Sequence, residues 1–133
     1  MMRNFFIIGG LFCALAVGLG AFGAHALKPH LDSYGLGLWE RATYYQMTHG
    51  MAIIITTLAA YFFKTSRCFF VANLLFTIGI FCFAGSLYTI ALTNIKMFGM
   101  IAPIGGVSFM AAWLLVFIGC FKSSSNIVIP KGA

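Results

Sequence analysis

Acidic side chains are almost missing from this sequence: Asp32 and Glu40 are the whole supply in 133 residues. Paired carboxylates for acid–base chemistry are therefore absent. So is the membrane-embedded carboxylate on which small four-helix multidrug antiporters rely, because neither acid falls inside an apolar stretch. Charge of any kind is scarce, at 8% of residues against roughly 25% in an average soluble domain. There is no basic cluster and no basic helix face, so the net charge of +6 does not point to nucleic acid. The four cysteines form no C-x-x-C, and none pairs with a histidine at metal-ligand spacing. They read as small packing residues rather than a disulfide framework. With no Ser/His/Asp grouping either, the sequence predicts a protein that is not an enzyme and holds no cofactor and no metal.

What the chain has is apolar length. Its few charges stand at Arg3, Lys28, Asp32, Glu40, Arg41, Lys64, Arg67, Lys96, Lys122 and Lys131, and uncharged stretches run through 4–27, 42–63, 68–95 and 97–121. Each is long enough to cross a bilayer core, which takes about 20 mostly apolar residues. The expected fold is all-α, an integral membrane bundle of four transmembrane helices. The spans are placed at about 4–24, 42–63, 68–93 and 98–121, within one domain covering 1–122, and a polar, disordered tail is expected at 123–133. Met1-Met2-Arg3, the apolar run and Ala24-His25-Ala26 look like a secretory signal. Signal cores are only about 7–15 residues, so this longer run is read as a retained first helix. Four spans put both termini on one side, with Arg3, Lys64, Arg67, Lys122 and Lys131; the other side holds Lys28, Arg41 and Lys96. Five cations against three predict cytoplasmic termini in a plasma (inner) membrane, by the excess of Lys and Arg in cytoplasmic loops, with membrane lipids as the immediate partners.

Small residues recur along the first span at Gly10, Ala14 and Gly18, and again at Ala16, Gly20 and Ala24. Such rows let helices approach closely in lipid. They exceed what one antiparallel neighbour needs, which predicts a homo-oligomer or a partner membrane subunit. Gly18, Gly20 and Gly23 match G-x-G-x-x-G, but a dinucleotide site needs a preceding strand and a βαβ unit, so that reading is rejected. Lys28-Pro29 ends the first helix, a connection runs over about 27–37, and Asp32-Ser33 can cap the second helix or a short interfacial one. Trp39, Tyr44 and Tyr45 beside Glu40 and Arg41 read as an aromatic belt at the membrane surface, with Glu40 in an interfacial ion pair. In the second span Arg41, Tyr45, His49, Ala52, Thr56 and Ala60 share one helical face. The third span turns small and polar at Ala84–Thr89. The fourth carries Pro103, Gly105 and Gly106 in its first turns.

Four segments stand out in order: Gly20-Ala-Phe-Gly-Ala-His25; Tyr45-Gln46 with His49; Gly85-Ser86-Leu87-Tyr88; and Pro103-Ile-Gly105-Gly106 with Trp113. In sequence and spacing they resemble the uncharacterised small inner-membrane proteins of domain-of-unknown-function family 423, which has relatives in animals. The resemblance covers nearly the whole chain. It implies a four-span membrane protein and brings no established reaction.

The candidate pocket consists of His25, Tyr45, Gln46, His49, Ser86, Tyr88, Pro103, Gly105 and Gly106, all expected in or near the non-cytoplasmic half of the bundle. His49 lies eight residues past Arg41, about 12 Å deeper along a helix. An ionisable group at that depth is costly and faces the bundle interior. It reads either as a proton relay or ligand contact, or as a neutral ring bonded to Ser86, Tyr88 or a carbonyl across the interface. His25 and His49 alone make a poor metal site. Pro103 with the two glycines can aim free N–H groups at an anion or can simply start a helix that packs closely on the first span. The leading functional reading is a non-enzymatic accessory or scaffold subunit. The alternative is a conduit for a small solute, ion or lipid.

Overall fold

The structure is a computed structural model that describes residues 2–63 and 66–122. The expected tail at 123–133 and the middle of the 64–67 turn lie outside the described residues. The fold is all-α, with four helices long and apolar enough to cross a membrane. Helix α1 is Met2–Phe22 and continues into a π-helical turn, Gly23–Leu27. Helix α2 is Ser33–Phe63, α3 is Ser66–Thr93 and α4 is Ala102–Lys122, the last preceded by a 3-10 turn, Lys96–Met100.

Helix α2 begins well before the span expected at 42–63. The connection from α1 shrinks to residues 28–32, where His30 N and Leu31 N both donate to Leu27 O at 2.9 and 3.0 Å. Asp32 then caps α2, its Oδ1 accepting the Gly35 N–H at 2.7 Å. That bond satisfies one of the free donors of the first turn, so the helix starts at Ser33 despite Gly35 and Gly37 in its first turns. Helix α3 closes at Thr93, and the next residue, Asn94, has a φ of 57°. That conformation is left-handed, and Asn tolerates it better than most residues. Pro103 is the second residue of α4, where its missing N–H costs no helical bond. It therefore does not kink the helix.

Each helix packs on its neighbour in sequence, with α2 and α3 at the centre and α1 and α4 on the flanks. The core runs between the central pair: Ala42, Ile53, Ala72 and Phe76 are fully buried there. Without a hydrophobic drive between helices in lipid, close backbone approach does the holding. Two glycine crossings supply it. On the α1–α2 side a methyl group on Gly9 would stand 2.8 Å from Gly50 O. On the α3–α4 side one on Gly105 would stand 2.9 Å from Gly79 O and 2.7 Å from Phe83 Cβ. The close packing of the α4 start thus exists, but its partner is α3 and not the first helix. The turns around Pro103 lie where α4 must cross α3.

Candidate functional site

Gln46 is the hub of the outer polar layer. It is buried at mid-helix in α2, where an amide side chain must find partners or be left unsatisfied in a medium without water. Its Nε2 donates to Phe12 O of α1 at 3.0 Å. Its Oε1 accepts from the Tyr88 hydroxyl of α3 at 3.1 Å. One side chain thereby ties three helices. Seven residues earlier Trp39 does the same for α1, its Nε1 donating to Leu19 O at 2.8 Å while its ring meets Tyr88 edge-on with centroids 4.6 Å apart. Trp39 is only 4% exposed. It is a core residue, not part of a surface aromatic belt. Gly23 makes room for it, since any side chain there would strike the Trp39 ring.

His49 sits apart from this hub, in an aromatic box. Its ring lies flat on Phe109 of α4, centroids 3.5 Å apart and planes within 8°, with Phe76 of α3 and Trp113 of α4 beyond. Its Nδ1 is 2.8 Å from Tyr45 O. A carbonyl only accepts, so in the neutral ring Nδ1 carries the hydrogen and Nε2 holds the lone pair. The partner is a carbonyl one turn back in the same helix, rather than Ser86, Tyr88 or a carbonyl across the interface. Ser86 is buried but donates to Phe83 O in its own helix at 2.8 Å.

The nine residues singled out from the sequence therefore fall into separate places. Gln46 and Tyr88 bond directly. Tyr45 and His49 share the box, where Tyr45 packs on Phe83 at 4.5 Å. Gly105 serves the α3–α4 crossing, and open space surrounds the site of a methyl on Gly106. His25 and Pro103 are exposed. Three of the clefts formed by described residues bear on the candidate site. One, of about 220 Å³, lies between α1 and α3 and is lined by Phe12, Leu15, Gln46, Phe81 and Tyr88 among others. A second, of about 290 Å³, lies beside the π turn and is lined by Gly20, Gly23, Ala24, Lys28, Leu36, Trp39, Glu40 and Thr43. A third, of about 330 Å³, joins the two connections at the same end, between His30–Gly35 and Ile90–Asn94. His49 lines none of these three.

Sequence reading put Thr56 on the shared face of the second span but missed the inner polar layer it belongs to. Asn73 of α3 is completely buried. Thr56 donates to its Oδ1, its Nδ2 donates to Thr57 Oγ1 at 3.0 Å, and Thr57 donates onward to Ile53 O at 2.7 Å. The available signal was Asn73 itself, an amide in the middle of an apolar run, which is expensive in lipid unless paired. Glu40 also departs from expectation. Its carboxylate forms no ion pair with Arg41 or any other described residue.

Residues 19–106 match the family described as "Protein of unknown function (DUF423)". The chain is 45% identical over 121 residues to a UPF0382 membrane protein of Staphylococcus aureus (strain bovine RF122 / ET3-1), covering 91% of this chain and 98% of that protein. It is 47% identical over 122 residues to one of Staphylococcus saprophyticus, covering 91% and 99%. A UPF0382 membrane protein of Staphylococcus haemolyticus is 43% identical over 121 residues, covering 91% and 98%. No solved structure matches the chain.

Proposed function

We propose a non-enzymatic, accessory or scaffolding role for this chain, which belongs to the DUF423 family of membrane proteins. One observation carries the reading: the buried amides, Gln46 and Asn73, are used up in joining helices. Among the described residues no buried side-chain nitrogen or oxygen lacks a hydrogen-bond partner, and the pairs Gln46–Phe12, Gln46–Tyr88 and Asn73–Thr57 each run between helices. A relay or permeation path built on Gln46, Tyr88 or Asn73 needs polar atoms left over for its substrate, whereas theirs are already paired with each other and with the backbone.

The partner such a role requires would dock on the outer face of α1. Gly10, Ala14 and Gly18 are exposed there, and methyl groups on the two glycines would meet open space. That row suits a second apolar helix, from another copy or another subunit, in a plasma membrane with both termini cytoplasmic. Native mass spectrometry from lipid nanodiscs tests this. The wild-type chain should appear as an oligomer or with a co-purifying membrane subunit, and the Gly10→Leu, Gly18→Leu double variant as a monomer with unchanged helix content. A wild-type chain that is monomeric and alone removes the basis of the proposal.

One feature favours the conduit reading. The cleft between α1 and α3 opens toward lipid and has Gln46 and Tyr88 in its wall. That reading requires flux of a small apolar solute or lipid in proteoliposomes, and requires Gln46→Leu to alter it.

A further inference from the structure

The cleft beside the π turn carries a carboxylate and an ammonium that do not pair. Glu40 stands on its α2 wall and Lys28 on its α1 side, yet neither has an ion-pair partner among the described residues. Both are exposed, so the charges are available rather than neutralised.

Their depth is fixed by helix length. About 20 residues at 1.5 Å each cover a hydrocarbon core of about 30 Å. Counted forward from Asn4 they end at Gly23, a little over one turn short of Lys28. Glu40 follows Trp39, whose ring bonds to Leu19 O, so it stands about one turn inside that end. The two side chains therefore reach one cleft from either side of Gly23, at the boundary between acyl chains and headgroups.

The wall is also built rather than incidental. The π turn widens the end of α1 at this point, a deviation that recurs at functional sites. Trp39 is held in register by its bond to Leu19 O, against a glycine that leaves it room. The volume of about 290 Å³ is at the small end of ligand clefts, suited to a headgroup and not to a whole lipid.

We infer that this cleft seats the headgroup of a zwitterionic phospholipid with a primary ammonium, of the phosphoethanolamine class, with the ammonium on Glu40 and the phosphate on Lys28. A simple anion would meet the Glu40 carboxylate, and a simple cation would meet Lys28. A quaternary ammonium has no N–H to give the carboxylate and is recognised by cages of several aromatic faces, whereas Trp39 is the one aromatic residue in this wall. The inference holds whether or not the chain self-associates.

The test is lipid retention by native mass spectrometry, after the full chain in neutral detergent is exposed to equal amounts of phosphatidylethanolamine, phosphatidylcholine and phosphatidylglycerol. Phosphatidylethanolamine should be retained about tenfold more than either other lipid, the effect of one charge-assisted contact. Glu40→Gln and Lys28→Gln should each bring it down to the phosphatidylcholine level with an unchanged melting temperature. Arg41→Gln, an exposed cation outside the cleft, should leave retention as it was. Soluble phosphoethanolamine at matched concentration should not displace the lipid. Equal retention of the three lipids, retention indifferent to Glu40→Gln, or an equal fall with Arg41→Gln would each overturn the inference. Displacement by the soluble compound would overturn the lipid as its source.

Discussion

The Asn73 layer and the Gln46 layer both fasten α2 to α3, yet one is sealed and the other reaches the surface. Around Asn73 every participant is buried, and the bonds run from Thr56 through Asn73 and Thr57 to Ile53 O within two helices. Around Gln46 the bonds reach a third helix, through backbone carbonyls of α1, and two clefts cut into the same region. The sealed layer has nothing left to offer a ligand. The open one joins more elements, and access to it comes from loose packing between α1 and α3. Interhelical polar bonds in membranes average about 0.6 kcal/mol and reach about 1.7, so neither layer alone holds the bundle together. They select which helix faces meet, while the glycine crossings supply the contact.

The sharpest way to break this contrast is Trp39→Ala. It removes a ring that is 4% exposed and the tie to Leu19 O, and should cost about 3 kcal/mol, read as a lowered midpoint of unfolding in mixed micelles. A loss under about 1 kcal/mol would mean that the open end of the bundle does not depend on its core tryptophan. Next comes Asn73→Leu, close in volume, which should cost about 1.5 kcal/mol, near the top of the measured range, and leave bound lipid unchanged. Smallest is Tyr88→Phe, at about 0.6 kcal/mol, because Gln46 keeps its bond to Phe12 O. If Tyr88→Phe costs more than Asn73→Leu in the same assay, the order of the two layers is reversed.

The four spans were legible because charge in lipid is expensive enough to leave only end positions open to Lys, Arg, Asp and Glu. The Asp32 cap was legible too, since capping is local chemistry. What the sequence hid are pairings between distant residues. Asn73 meets threonines 16 and 17 positions away, and no periodic pattern marks such a meeting. Trp39 looked like a belt residue because α2 was expected to begin later. Once Asp32 starts the helix at Ser33, Trp39 comes to lie against Gly23 and turns inward. Likewise, Pro103 and Gly105 signalled a close crossing but not which helix would be crossed. Small residues record that a neighbour is near without recording its identity. Of the candidate site, the Gln46–Tyr88 contact emerged from residues flagged for polarity alone. The cleft beside Glu40 depends on a π turn that no composition announces.

The two glycine crossings have a bearing on biogenesis. Each lies within a pair of helices adjacent in the chain, Gly9 with Gly50 and Gly79 with Gly105. A contact between sequence neighbours needs only a short loop to close, and so forms early. The first helical hairpin can therefore close its crossing in the bilayer while the second is still being synthesised. The Gln46 and Asn73 bonds that join the halves then act as a late check on their alignment.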